Sequence, residues 1–202
     1  AAHTWMEHCD YMTYLLIENK DLKSFRRSRC AAGHKAMWSK EWNGLPSEDF
    51  LYILHPYLAN LRNNLYDETY TSDKAAGTLS KEWAEKLGLS TDTFISVGTF
   101  DAHAGAVGAN IGMNTLVRVM GTSTCDIIVS DPSVINDNTI KGICGQVDGS
   151  VIPGLIGLEA GQSGFGDVLA WWKNILIWPI ENLVMTSDVL TLEQKESLRN
   201  EI

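Results

Sequence analysis

Residues 93–100, TFISVGTF, place β-branched and aromatic side chains in one short apolar run, the composition of a buried strand. The run leads into DAHAGAVGANIG, where Asp101 precedes small residues and Gly105, Gly108 and Gly112, the text of a closely packed helix. A strand that delivers a helix in this way points to an α/β chain. In open α/β sheets ligands gather at the carboxyl ends of the strands. A carboxylate there can take a proton from an attacking hydroxyl, and an ordinary Asp is ionised at neutral pH. Asp is also among the best helix N-caps. The residues alone leave both roles open for Asp101, and for His103 both a ligand-lining and a packing role.

The rest of the chain supports mixed architecture. The segment 10–17, DYMTYLLI, reads as a helix ending in polar ENKD, whereas residues 24–42 show no clean period. Ser47 before Glu48 and Asp49 is a helix start, and Pro56 sets the stop near His55. Ser80 is expected to cap a helix running through Leu87, with Gly88 just beyond it. LVRVM and CDIIV flank Gly121-Thr122-Ser123-Thr124 and read as two strands joined by a tight turn. Asp148-Gly149 is a further hairpin signal, and GDVLAWWKNIL is a helix candidate. Thr191 and Gln194 form a capping box opening a final amphipathic helix. Trp5, Trp38, Trp42, Trp171 and Trp172 are expected mainly in cores.

Composition narrows the function. The 202 residues carry a formal net charge of −9, which disfavours nucleic-acid and anionic-membrane surfaces. No apolar run approaches the ~18 residues of a membrane span, and a cytoplasmic protein with reduced thiols is expected. The start, AAHTWMEH, has neither an initiator Met nor a cationic stretch and reads as a cut through a longer chain. The four cysteines show no CxxC spacing, and the five His residues form no HExxH pair. Asp101 and His103 alone are a weak metal pair, so no metal-ligating set is expected.

The turn at 121–124 has a second reading. Consecutive backbone N–H groups in a tight turn, with three hydroxyls beside them, suit a phosphate, though the same composition is common in ordinary hairpins. GQSGF at 161–165 fails the nucleophile-elbow pattern because Phe165 stands where a Gly is required. GFGDVL lacks the third Gly of a dinucleotide fingerprint, and no Walker A sequence occurs.

Taken in order, the strand, Asp101, the small-residue helix, the GTST turn and LEAGQSGFGD resemble the FGGY carbohydrate kinases. RCAAGHKAMW (29–38), GTFDAHAGAVGA (98–109) and LEAGQSGFGDVLAWW (158–172) narrow the resemblance to the branch that acts on ketopentoses. It implies a ribonuclease-H-like, actin-like ATPase fold, with 1–111 ending the sugar lobe and 112–202 beginning the ATP lobe. It implies phosphorylation of a ketopentose by ATP with Mg²⁺, with L-ribulose ahead of D-ribulose or xylulose, in a homo-oligomeric parent enzyme. Asp101 matches the family's catalytic base, and Gly121, Thr122 and Ser123 match its second phosphate motif. Lys35 and Glu159 match sugar contacts, and His103 stands beside them. The first phosphate motif and the adenosine segment lie outside this chain, so the isolated segment is expected to be inactive.

Overall fold

Ser47, Ser80 and Thr191 each stand one residue ahead of a helix and accept an N–H from its first turn. Each device is local, which is why the sequence announces it. The computed structural model describes residues 2–136 and 138–201. Its elements run from α1 (His8–Leu16) through β1 (Arg27–Ser28), α2 (Arg29–Ala36), α3 (Glu48–Leu54) and α4 (Pro56–Arg62). Next come β2 (Thr69–Tyr70), β3 (Ala75–Thr78), α5 (Lys81–Leu87), β4 (Phe94–Ser96) and α6 (Asp101–Gly108). Then follow β5 (Val117–Met120), β6 (Thr124–Ser130), α7 (Pro132–Ile135), β7 (Gly145–Asp148) and β8 (Ile156–Gln162). The chain ends in α8 (Gly166–Pro179), a π-helical turn (Ile180–Val184) and α9 (Leu192–Asn200).

Helix α5 ends as anticipated on Gly88 in the left-handed region, φ 66°. At Thr191 the capping box closes in both directions with Gln194. Strands β1 and β2 pair in parallel, β3 and β4 antiparallel, and the largest sheet has the order β5-β6-β8-β7. Strands β7 and β8 are antiparallel, with Gly145 opposite Glu159 and Asp148 opposite Ile156. Gly149 turns the chain out of β7 at φ 69°, and its N–H reaches the Leu155 carbonyl at 2.8 Å.

The chain forms two compact units, Ala1–Val119 with Asp126–Ala160, and Met120–Cys125 with Gly161–Ile202. Within the first, Ala32, Trp38 and Leu45 form a buried cluster flanked by Ala36, Leu65 and Tyr66. The Trp38 indole N–H also donates to the Asp67 carbonyl at 2.8 Å. The second unit corrects the expectation for Trp171 and Trp172. Trp171 and Trp172 on α8 are exposed, and the described residues of that helix include none that is buried. Trp42 is exposed as well. No helix among the described residues is long and apolar enough to cross a membrane.

The run 93–100 makes far less strand than its composition suggests. Strand β4 has three residues, pairs only with β3, and leaves Phe94 75% exposed. A two-stranded ribbon offers no second layer in which to bury such a run. Burial comes instead at Val97, whose N–H donates to the Lys74 carbonyl at 2.9 Å. At the next residue, Gly98, a Cβ would stand 2.6 Å from the Cys9 carbonyl oxygen of α1. A backbone atom cannot yield as a flexible side chain can. Gly98→Ala is therefore expected to destabilise the chain by about 1–3 kcal/mol, read as a lower urea midpoint; an unchanged midpoint would show that α1 is free to shift.

Candidate active site

Helix α2 begins at a doubly held residue. The Ser28 hydroxyl accepts the Ala31 N–H, while the buried Asp10 carboxylate accepts the Ser28 N–H at 2.8 Å. Its far end packs on β7 through two glycines. A Cβ on Gly33 would stand 2.4 Å from Val147, and one on Gly145 would stand 2.3 Å from the His34 ring. Arg29 adds hydrogen bonds to the Thr69 hydroxyl and carbonyl and to Asp148. The helix is thus set on β7 in one rotation, with Lys35 exposed and its Nζ 5.6 Å from the Phe100 ring centroid.

Phe100 leads into α6, and Asp101 is that helix's first residue. The N-cap position belongs to Phe100, so Asp101 does not fill the capping role that was the alternative for it. Its carboxylate is exposed and accepts the neighbouring Ala102 N–H at 2.8 Å. An acid in the first turn also complements the helix dipole. His103, two residues on, is buried.

Glu159 on β8 joins these elements. Its Oε2 lies 3.5 Å from His103 Nε2 and 3.5 Å from His34 Nδ1. The two imidazoles lie with centroids 4.9 Å apart, and Phe100 packs edge-on to His103 and tilted to His34. Burial holds both histidines below their ordinary pKa, His34 down to about 4, and the nearby Glu159 charge offsets only part of this. Both rings are therefore neutral at pH 7. The far nitrogens, His34 Nε2 and His103 Nδ1, are buried without a hydrogen-bond partner. Cys30, one turn before His34, completes a group whose ligand atoms lie within 4.8 Å of one another.

The structure thus brings Lys35, Asp101, His103 and Glu159 around Phe100 and the two imidazoles. Cys30 and His34 are functional candidates that the sequence reading missed. Their i, i+4 spacing was visible, but residues 24–42 carry no apolar period to announce a helix. The cysteine and histidine spacing led to no expected ligand set, and it is the fold that places Cys30, His34 and His103 together.

Gly121, Thr122 and Ser123 belong to the second unit and are exposed between β5 and β6, as expected of a turn. The Gly121 N–H already donates to the Ser123 carbonyl at 2.8 Å. The carbonyls of Gly121 and Thr122 accept N–H groups of Phe165 and Gly166 at the start of α8. A Cβ on Gly166 would stand 2.6 Å from the Gly121 oxygen, so this glycine permits the contact. The expected row of free N–H donors is therefore shorter by one, and the Thr122 and Ser123 hydroxyls gain weight as anion contacts.

No protein-family model matches the chain. It is 52% identical over 180 residues to the ribulokinase of Vibrio parahaemolyticus serotype O3:K6 (strain RIMD 2210633), a match covering 89% of this chain and 32% of that protein. Over 173 residues it is 36% identical to the ribulokinase of Bacillus licheniformis, covering 85% of this chain and 30% of that one. The chain thus spans about a third of the length of these relatives. Among solved structures it resembles the xylulose kinase from Rhodospirillum rubrum with TM-score 0.63 and 18% identity, over 83% of this chain and 31% of that one. A gluconate kinase from Lactobacillus acidophilus gives TM-score 0.59 at 20% identity, over 84% and 32%. At those identities the likeness concerns the fold, which is the α/β, actin-like ATPase fold of sugar kinases expected from the order of motifs.

Proposed function

Because the chain belongs to the ribulokinase family of carbohydrate kinases, we propose that it serves ATP-dependent phosphorylation of a ketopentose, with L-ribulose as acceptor. The observation that carries this reading is the exposed Asp101 carboxylate at the start of α6, between Phe100, which Lys35 overlies, and His103, which Glu159 faces. A phosphoryl acceptor asks for a base within reach of its hydroxyl and for groups that hold the rest of the sugar.

In this reading Asp101 accepts the proton of the terminal hydroxyl as the oxygen attacks phosphorus. Lys35 donates to the remaining hydroxyls and Glu159 accepts from them, and His103 lines the pocket as a neutral ring. Gly121, Thr122 and Ser123 hold the migrating phosphoryl group. Residues 1–111 close the sugar lobe and 112–202 open the ATP lobe. Mg²⁺ arriving with ATP supplies charge neutralisation at the phosphates. It takes oxygen ligands and keeps several waters, and the exposed carboxylate of Asp101 is a donor of that kind.

The test is sugar-dependent ADP release by the full-length protein carrying this segment, assayed with L-ribulose, D-ribulose and xylulose. Highest kcat/KM on L-ribulose is expected. A preference for one of the other sugars would move the acceptor, and no ADP release with any ketopentose would remove the reading.

A further inference from the structure

We propose that Cys30, His34 and His103 form a binding site for a divalent transition metal of the zinc class, with Glu159 beside it as the charge-compensating carboxylate. Three observations converge on it. The ligand atoms of the three residues lie within 4.8 Å of one another, close enough for small side-chain rotations to bring them onto one ion. Two elements supply them, with Cys30 and His34 on successive turns of α2 and His103 on α6. One buried nitrogen of each imidazole has no hydrogen-bond partner, an arrangement that costs stability unless something occupies the lone pair.

The donor set selects the ion. A thiolate and two imidazoles suit zinc, cobalt or copper and not Mg²⁺, which demands oxygen ligands. Charge balance points the same way. Thiolate and carboxylate together carry two negative charges, so a divalent cation leaves the largely buried group neutral. Cys30 is a buried cysteine and enters as a thiol. Binding then replaces the S–H bond by a metal–sulfur bond and releases one proton to solvent. The ion would pin α2 to α6 beside Asp101, a structural or inhibitory role separate from the Mg²⁺ carried by ATP.

The experiment loads metal-stripped full-length protein with one equivalent of Zn²⁺ or Co²⁺ in the presence of millimolar Mg²⁺. Expected are one ion bound per chain, a higher Tm with Zn²⁺, and one proton released per ion from the buffer dependence of the binding heat. The Co²⁺ form of the wild-type protein should show the visible bands of a tetrahedral ion and a near-ultraviolet thiolate charge-transfer band. Cys30→Ser should abolish that band, and Cys144→Ser should leave it. His34→Gln should weaken Zn²⁺ binding on the order of 10²-fold, and Glu159→Gln less. Sub-stoichiometric uptake, a Co²⁺ spectrum without the thiolate band, or binding unchanged in both Cys30→Ser and His34→Gln would overturn the site. Because the wild-type spectrum is itself decisive, a variant that fails to fold does not rescue the proposal. None of these readouts depends on kinase activity, so their failure and that of the proposed reaction are distinguishable.

Discussion

Asp101→Asn in the full-length protein is expected to lower kcat by about 10² or more, the scale of lost general-base catalysis. The substitution suits the question because it changes little else. Asp101 is exposed, and its one hydrogen bond, from the Ala102 N–H at 2.8 Å, can be kept by the amide oxygen of Asn. Losing a negative charge in the first turn of α6 costs about 0.3–1 kcal/mol, too little to unfold a domain. The sugar contacts assigned to Lys35 and Glu159 are untouched, so KM should move far less than kcat. A loss confined to kcat is the signature of an interaction made in the transition state. Turnover within a few-fold of wild type would take Asp101 out of the base role.

The largest stability effect is expected at Asp10. Its carboxylate accepts the Ser28 N–H at 2.8 Å and lies 3.8 Å from the buried Arg27 guanidinium. Arg27 is only 1% exposed, donates to the Trp5 carbonyl at 3.4 Å, and stacks against Phe25 and Tyr66. Asp10→Ala would leave that charge and the Ser28 N–H buried without their acceptor, an expected loss of about 3–5 kcal/mol. Asp10→Asn keeps the acceptor for Ser28 and should lose less. Urea unfolding at pH 7 measures both, and an Ala variant within about 1 kcal/mol of wild type would mean water or another acceptor replaces the carboxylate.

Asp10 also gives stability a pH dependence whose sign can be worked out. Burial, the largest influence, raises its pKa from 3.8 to about 6 despite Arg27 and the Ser28 N–H. Between those values the folded chain holds a proton that the unfolded chain has released. The contribution is therefore fully present below about pH 4 and lost as pH rises through about 6, an amplitude of about 3 kcal/mol. In the wild-type minus Asp10→Asn difference, that decline should appear across the same interval. A flat difference would show that Asp10 titrates alike in both states.

Asp10 explains how the fold reaches the site. By holding Ser28 it fixes the start of α2, and α2 carries Cys30, His34 and Lys35. Nothing in DYMTYLLI marks its Asp as the partner of a residue 18 positions away. The helix around it was legible because apolar spacing is local, whereas the ion pair depends on packing. Trp171 and Trp172 teach the converse. Their apolar character is plain in the sequence, but burial is a property of what packs against a residue, and here both stay exposed.

From the sequence alone came the helix starts at Ser47, Ser80 and Thr191, a turn at 121–124 whose last residue the structure gives to β6, and Asp101 at the head of a small-residue helix. Each is written within a few neighbouring residues, where capping, turn chemistry and propensity act. The order of those features also pointed to the kinase fold. Tertiary structure alone decided that β4 is short and exposed, that Asp101 is the first helical residue and not its cap, and that the Gly121 N–H is already engaged. It alone brought Glu159 to both imidazoles and Cys30 to His34 and His103. These contacts join α2, α6 and β8 across as many as 125 positions, counted from His34 to Glu159, and no local rule reaches that far. They depend on how closely α2 lies on β7, which Gly33 and Gly145 permit by having no side chain.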